Sequence, residues 1–271
     1  MSTKIQIEQR ITELGDIQPW NHNYALPEGV ETSPGKQESH GKNLVKLDRL
    51  QPIFDLFGLN GKSVLDVGCN EGFFSLHMGK AGADVLGLDI DEHRITKAKY
   101  VQSLIGGESK VRFDNVDIYS DQFKALPRFD LCLCLGFIHR IPDPFTAIAS
   151  LADRTNVIMF EWKALKFGPH DEPFAYFSPK GVDDKDYYGT EYWLLSYAAL
   201  ESILKRQGFK HFHRIDDPRQ RRAILVAGRS EHAIFEQKDV VAHRGRIPAL
   251  LSHGKRALKT FVGILSGKVN A

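Results

Sequence analysis

Long apolar runs are missing from this 271-residue sequence, and no stretch approaches the roughly 18 apolar residues of a membrane span. The first ten residues, MSTKIQIEQR, carry charges where a secretory leader needs an apolar stretch, so a cytoplasmic address is expected. Cysteine is scarce. Cys69, Cys132 and Cys134 are too few and too closely placed for a disulfide framework, which suits a reducing compartment. The C-x-C pair has no further Cys and no nearby His pair to complete a four-ligand zinc site, so buried packing is expected and no metal. Charge of one sign is lacking too: the formal net charge is +2, and no global field recruits nucleic acid, although a local basic patch stays open. There is no internal repeat. What remains is the composition of an ordinary globular protein, 42% hydrophobic and 26% charged, with one main domain and appendages expected.

Residues 1–60 read as a helical and looped cap. Ile5, Ile11 and Leu14 mark a weak amphipathic helix over residues 3–15, ended by Gly15. The following stretch holds Trp20 and Tyr24 among Pro and Gly, which predicts anchored loops and not a linker. A helix over Asn43 to Phe57 presents Leu44, Leu47, Leu50 and Phe54 at helical spacing. Residues 61–230 then alternate short apolar runs (SVLDV, DVLGLD, VRFDNV, FDLCLCLG, NVIMFE) with helix-like segments. Parallel neighbours need a crossover that covers the sheet face, so the pattern predicts an α/β, Rossmann-like doubly wound sheet with helices on both faces. Residues 164–192 interrupt it with a polar-aromatic insertion expected to act as a lid. A helix over Leu194 to Gln207 and two β-like runs, FKHFHRI and RAILVAGR, complete the domain. In 231–271, Leu250, Leu251, Leu258, Phe261, Val262 and Leu265 share one helical side, with Lys255, Arg256 and Lys259 mostly off it. That basic amphipathic tail fits docking on its own domain or on a second subunit, and also an anionic membrane surface or other partner.

The segment from Ser63 to Asp91 carries most of the chemistry. A strand runs into Asp66, then a turn with Gly68, Cys69, Asn70 and Gly72, then a helix starting near Glu71 and including Phe73 among the candidate cofactor residues. The two glycines let the backbone turn tightly and approach a ligand, and the helix start directs free N–H groups at the crevice. A dinucleotide site prefers G-x-G-x-x-G without an acid beside the pyrophosphate. Here Asn70 replaces the second Gly and Asp66 precedes the first, an arrangement that repels phosphate and suits the ammonium of a methionine moiety. S-adenosyl-L-methionine (AdoMet) carries no phosphate and fits. The next strand ends at Asp89, followed by Ile90, about where a carboxylate reaches two ribose hydroxyls. Asp117 is placed to accept from an adenine amino group, with Val116 or Ile118 packed on the ring, and Leu135 and Gly136 end the fourth strand at the same crevice.

Through VLDVGCNEG, the acid of GLDID, NVDI and FDLCLCLG, about residues 60–230 resemble the class I AdoMet-dependent Rossmann-fold methyltransferase superfamily. The resemblance implies AdoMet as cofactor, S-adenosylhomocysteine (SAH) as product, and a sheet ending in an antiparallel hairpin, with the last strand antiparallel. Trp20-Asn-His with Leu26-Pro-Glu-Gly, Lys46-Leu-Asp-Arg, the spacing from Gly136 to Pro144 and TEYWLLSYAALESILKRQGF make the chain similar to the tRNA wobble-uridine methyltransferase and carboxymethyltransferase group. In the carboxymethylating members a Lys, a Tyr and a late Arg hold the extra carboxylate of carboxy-AdoMet. Lys46 matches the Lys, one of Arg219, Arg221 and Arg222 matches the Arg, and His139 stands where the Tyr belongs, which favours ordinary AdoMet.

Methyl transfer is an in-line displacement, so the protein aligns the nucleophile and, for a hydroxyl, removes its proton. His139, after the fourth strand, is the candidate base, with a hydrogen-bonded structural histidine as the alternative. Arg140 is placed to bind an anionic acceptor, and Glu161, ending the fifth strand, is a second base or orienter. His22, Tyr24, Lys46, His170, Asp183, Asp184, Tyr187 and Tyr188 are candidates for the acceptor pocket. Three functions compete: O-methylation of a small molecule or sugar, tRNA modification, and non-catalytic AdoMet binding, with a nicotinamide enzyme behind them.

Overall fold

The computed structural model describes residues 3–34, 37–106, 110–164, 172–179, 191–215 and 222–230. Tyr187, Tyr188, His170, Asp183, Asp184, Arg219, Arg221 and the tail from residue 231 lie outside them. Five parallel strands form as expected: β1 (Ser63–Val67), β2 (Asp84–Asp89), β3 (Val111–Asn115), β4 (Phe129–Leu135) and β5 (Thr155–Lys163). With β8 (His211–Ile215) and β9 (Arg222–Gly228) they make a seven-stranded sheet of order β3-β2-β1-β4-β5-β9-β8, in which β9 runs antiparallel to both neighbours. The order reverses between β1 and β4, and in open α/β sheets the crevice at such a switch point receives the ligand.

Side chains alternate across each strand, and the two faces have separate cores. Val64, Val85, Leu133, Val157, Met159, Ile224 and Val226 pack against α1 (Lys4–Ile17), α2 (Gln37–Phe57), α3 (Phe73–Lys80) and α4 (Glu92–Ile105). Leu65, Leu86, Cys132, Cys134, Ile158 and Leu225 pack against α5 (Asp121–Lys124), α6 (Pro144–Asp153) and α7 (Tyr197–Arg206). The period of two carries the first face's parity to Asp66, Asp89, Glu161 and Arg222, which therefore project toward the side covered by α2 and the N-terminal segment. All three cysteines are buried thiols in these cores.

Boundaries differ from expectation in α1, α2 and α7; α2 opens at Gln37 and not at Asn43. Helix α1 continues through Gly15 to Ile17, because a side chain at Gly15 would press on the Trp20 ring, 3.2 Å from its Cδ1; the glycine admits the indole and does not end the helix. The buried stripe of α1 is Ile7, Ile11 and Leu14, with Ile5 exposed. Leu194 and Leu195 belong to a strand, since the Ser196 hydroxyl accepts from Ala199 N and caps α7 only from Tyr197 onward.

The described part of the insertion is an antiparallel pair, β6 (Ala175–Pro179) with β7 (Glu191–Leu195). Trp193 donates to the Pro142 carbonyl and packs edge-on to Phe145. No helix among the described residues is long and apolar enough to cross a membrane.

Candidate active site

The turn after β1 is built from left-handed residues: Gly68 (φ 72°), Asn70 (φ 55°) and Gly72 (φ 83°). At Gly72 a Cβ would stand 2.5 Å from the Phe113 ring, and at Gly68 3.0 Å from the Phe137 ring. Asn70 tolerates this region where most residues do not. The conformation at Gly72 is not helical, so α3 opens at Phe73 and not at Glu71. Gly68 N and Cys69 N both donate to Leu88 O, and Asn70 N donates to Asp89 Oδ2 at 2.9 Å. The turn is thus tied to the end of β2.

Above it lies a cavity of about 800 Å³. Gly68, Cys69, Asn70, Asp89, Ile90, Val116, Ile118, Leu135 and Gly136 line it, as do His22, Lys46 and Arg140. Asp66, Gly72, Phe73 and Asp117 stand behind the lining. The Asp66 carboxylate takes a 2.6 Å hydrogen bond from the Ser75 hydroxyl; burial, with help from the Asp89 charge and against that hydrogen bond, raises its pKa to about 6. Asp89 is raised as well, by burial first, against Arg94. The Asp117 side chain accepts from Tyr119 N and so serves its own turn. Tyr24 is buried with its hydroxyl on the Glu71 carbonyl, which makes it an anchor.

Residues 17–22 supply a wall that the sequence did not announce. Ile17, Gln18, Pro19, Asn21 and His22 border the cavity. Their backbone is held by Glu71, whose two carboxylate oxygens accept from Asn21 N and His22 N, and by Lys97, whose ammonium donates to the carbonyls of Gln18 and Pro19. Lys97 and Glu71 are both fully buried and 3.5 Å apart. Burial tends to raise the Glu71 pKa, but His22, the Asn21 amide and Lys97 outweigh it and keep the carboxyl below its ordinary range. A charged residue in KAKY on a weakly amphipathic helix reads as solvated surface, so no local signal pointed to this pair. The described strands of the insertion do not border the cavity.

The opposite end gathers residues from across the chain. Glu161 Oε2 lies 3.3 Å from Lys46 Nζ and 3.6 Å from Arg222 Nη1. The register that pairs Lys163 with Arg222 and Glu161 with Ile224 brings the late arginine here. Burial lowers the Lys46 pKa, with Glu161 opposing. Gly136 (φ 78°) roofs the group: an atom at its Cβ position would stand 3.6 Å from Glu161 Oε2 and 3.9 Å from Lys46 Nζ.

His139 is corrected by this geometry. It sits in a short 3-10 turn, 1% exposed, behind the lining. Its Nε2 lies 3.2 Å from Arg222 Nη1, and because a guanidinium only donates, Nε2 is the acceptor and the ring is neutral. Burial first, then Arg222 and Arg140, push its pKa to about 2. A base near neutrality needs proton affinity, and an imidazole buried against two guanidinium groups has little. It holds Arg222.

A family model described as a methyltransferase domain matches residues 40–213. Over 150 residues the chain is 31% identical to the ubiquinone biosynthesis O-methyltransferase of Aliivibrio fischeri, covering 55% of this chain and 54% of that one. The protein of the same description from Idiomarina loihiensis is 31% identical over 165 residues, 61% of this chain and 58% of that one. The chain spans about half the length of the curated relatives it matches. The N-terminal domain of EvdMO1, solved in the presence of SAH and D-fucose, superposes with a TM-score of 0.67 at 21% identity, over 84% of this chain and 97% of that one. At that identity the likeness concerns the fold. With the family model spanning most of the sequence and a sheet order that matches its expected fold, the chain belongs to the methyltransferase-domain family.

Proposed function

We propose that the protein is an AdoMet-dependent methyltransferase that acts on an oxygen of a small-molecule acceptor. The observation that carries the reading is the cavity itself, where the glycine turn, the Asp89 carboxylate and the apolar pair Val116 and Ile118 surround one space. The donor set fits AdoMet: Asp89 keeps acceptor capacity for ribose hydroxyls, Val116 and Ile118 offer an apolar slot for a base, and Asp66 and Asp89 disfavour a pyrophosphate. Ile90, Leu135 and Gly136 complete the cofactor's surroundings. The relatives named for ubiquinone biosynthesis O-methylation support oxygen as the methylated atom.

AdoMet, when bound, supplies an electrophilic methyl group. The chain's own contribution is to hold the acceptor and take its proton. Lys46 and Gly136 border the cavity; Glu161, 2% exposed, stands behind them with its Oε2 3.3 Å from Lys46 Nζ. Glu161 Oε2 is buried and receives no well-aligned hydrogen bond from the described residues, so its lone pair is left to draw a proton from Lys46, which in turn takes the acceptor's proton and orients the oxygen. Arg222, steadied by His139, gives the acceptor end its positive character, and Arg140 lines the same end.

Calorimetric titration tests the reading: AdoMet and SAH bind with micromolar-range affinity and NADH does not, and a panel of phenols and sugars yields SAH with at least one acceptor. Heat with NADH and none with AdoMet sinks it. The approach of Lys46 and Arg222 to one carboxylate supports a second reading, in which an extra carboxylate on the cofactor lies there; carboxy-AdoMet then binds more tightly than AdoMet in the same titration. A tRNA acceptor would show itself by affinity that falls steeply with salt.

A further inference from the structure

We infer that Lys97 and Glu71 are positioning residues of the cofactor site, fixing residues 17–22 as one of its walls without touching the cofactor. The inference rests on the AdoMet reading above. Its geometry does not.

Lys97 projects from α4, fully buried, and its three ammonium hydrogens have three acceptors: the Gln18 carbonyl at 2.5 Å, the Pro19 carbonyl at 3.1 Å and Glu71 Oε1 at 3.5 Å. The Trp20 ring lies under the same ammonium, 4.9 Å from centroid to Nζ. Glu71, inside the glycine turn, spends its carboxylate on Asn21 N and His22 N at 2.8–3.1 Å. One ion pair therefore ties three separate pieces together: the turn, the helix after β2, and a segment some fifty residues earlier in sequence. Two side-chain links flank it, Gln18 to Asp91 at 2.8 Å and Asn21 to Asn70 at 3.2 Å.

A buried ammonium and carboxylate are retained only if their desolvation is offset by such complete pairing. Packing alone would be served as well by apolar residues of the same volume, and the Trp20 indole is already anchored by its own bond to Ile11 O. What the pair adds is direction. It sets the backbone of residues 18–22, of which Gln18, Pro19, Asn21 and His22, and not Lys97 or Glu71, border the cavity.

The experiment uses the full chain with SAH as probe. Lys97→Met keeps the stem's volume and removes the three donors; Glu71→Gln removes the charge. We expect the SAH Kd by calorimetry to rise at least tenfold in each, the AdoMet KM to rise in parallel, and kcat at saturating AdoMet to stay within about threefold. A lowered melting temperature with an unchanged SAH Kd means a role in stability alone and overturns the inference. Should either variant fail to fold, hydrogen exchange on the wild type decides: the Asn21 and His22 amides slow when SAH binds if the wall closes on the cofactor, and unchanged rates overturn it. Wild-type protein that binds no SAH defeats the AdoMet reading itself, a result distinct from wild-type binding that the variants preserve.

Discussion

The two ends of the cavity are built in opposite ways. At the end proposed for the cofactor, Gly68, Asn70, Gly72 and Asp89 fall within 22 consecutive residues and are joined through hydrogen bonds of their backbone N–H groups. At the end proposed for the acceptor, Lys46, Gly136, Glu161 and Arg222 come from α2, the loop after β4, β5 and β9, and the three charged side chains meet as ion pairs. The first end is rigid because its atoms are covalently close and its turn admits few residues. The second depends on tertiary register, so it can change its residues without disturbing the sheet.

The sharpest way to break the comparison is at Gly72. A valine there combines a left-handed φ with a Cβ placed 2.5 Å from Phe113. Strain of roughly 1–3 kcal/mol adds to overpacking of roughly 1–3 kcal/mol. Chemical denaturation should show the loss, together with undetectable SAH binding; near wild-type stability would mean that the turn is softer than its geometry implies. Next comes Glu161→Gln, which spares the turn. We expect a fall of roughly 10²–10⁴ in kcat, the usual worth of a general base, with the SAH Kd within about threefold. Equal losses in Kd and kcat would show that the two ends are not separable.

The same division explains what could be read from sequence. Strand order, the glycine turn, Asp89 and the apolar pair at 116 and 118 are contiguous patterns with period two or a fixed offset, and the structure brings them to one cavity. Glu161 was visible as an acid late in a strand, which the structure carries past it to Lys163. Arg222 remained one of three arginines, because only the antiparallel register of β9 shows that it shares a face with Glu161. His139 misled for a related reason: its position along the chain is correct, but burial against Arg222 decides its protonation, and burial is a tertiary property. The wall at residues 17–22 was read as anchored loop, and its anchors, Glu71 and Lys97, carry no local mark.

Asp89 offers a middle-sized test confined to the cofactor end. Its two oxygens already receive Asn70 N and Asp91 N, so Asp89→Asn disturbs the turn as well as any ribose contact. Hydrogen bonds to a charged group contribute about 1.5–3 kcal/mol, which corresponds to roughly ten- to hundredfold weaker SAH binding by calorimetry. The acceptor dependence of kcat should not change. A shift in acceptor preference would mean that the ends communicate through the sheet.

Asp66 gives the smallest effect and the finest distinction, because it lies behind the lining yet close enough to sense both Asp89 and Lys46. Its pKa of about 6 in the folded chain exceeds the ordinary aspartate value of 3.8. The folded state therefore holds the proton more tightly than the unfolded one, and Asp66 withdraws stability as pH rises through that interval. A bound ammonium would reverse the preference, since it favours the carboxylate. AdoMet affinity should then increase about tenfold from pH 5 to pH 7, the limit for one group titrating near 6, and Asp66→Asn should flatten the profile. A slope that survives the substitution, or a flat wild-type profile, would reduce Asp66 to a tether that receives the Ser75 hydroxyl and fastens α3 to β1. The cofactor end would then rest on Asp89 and the turn alone.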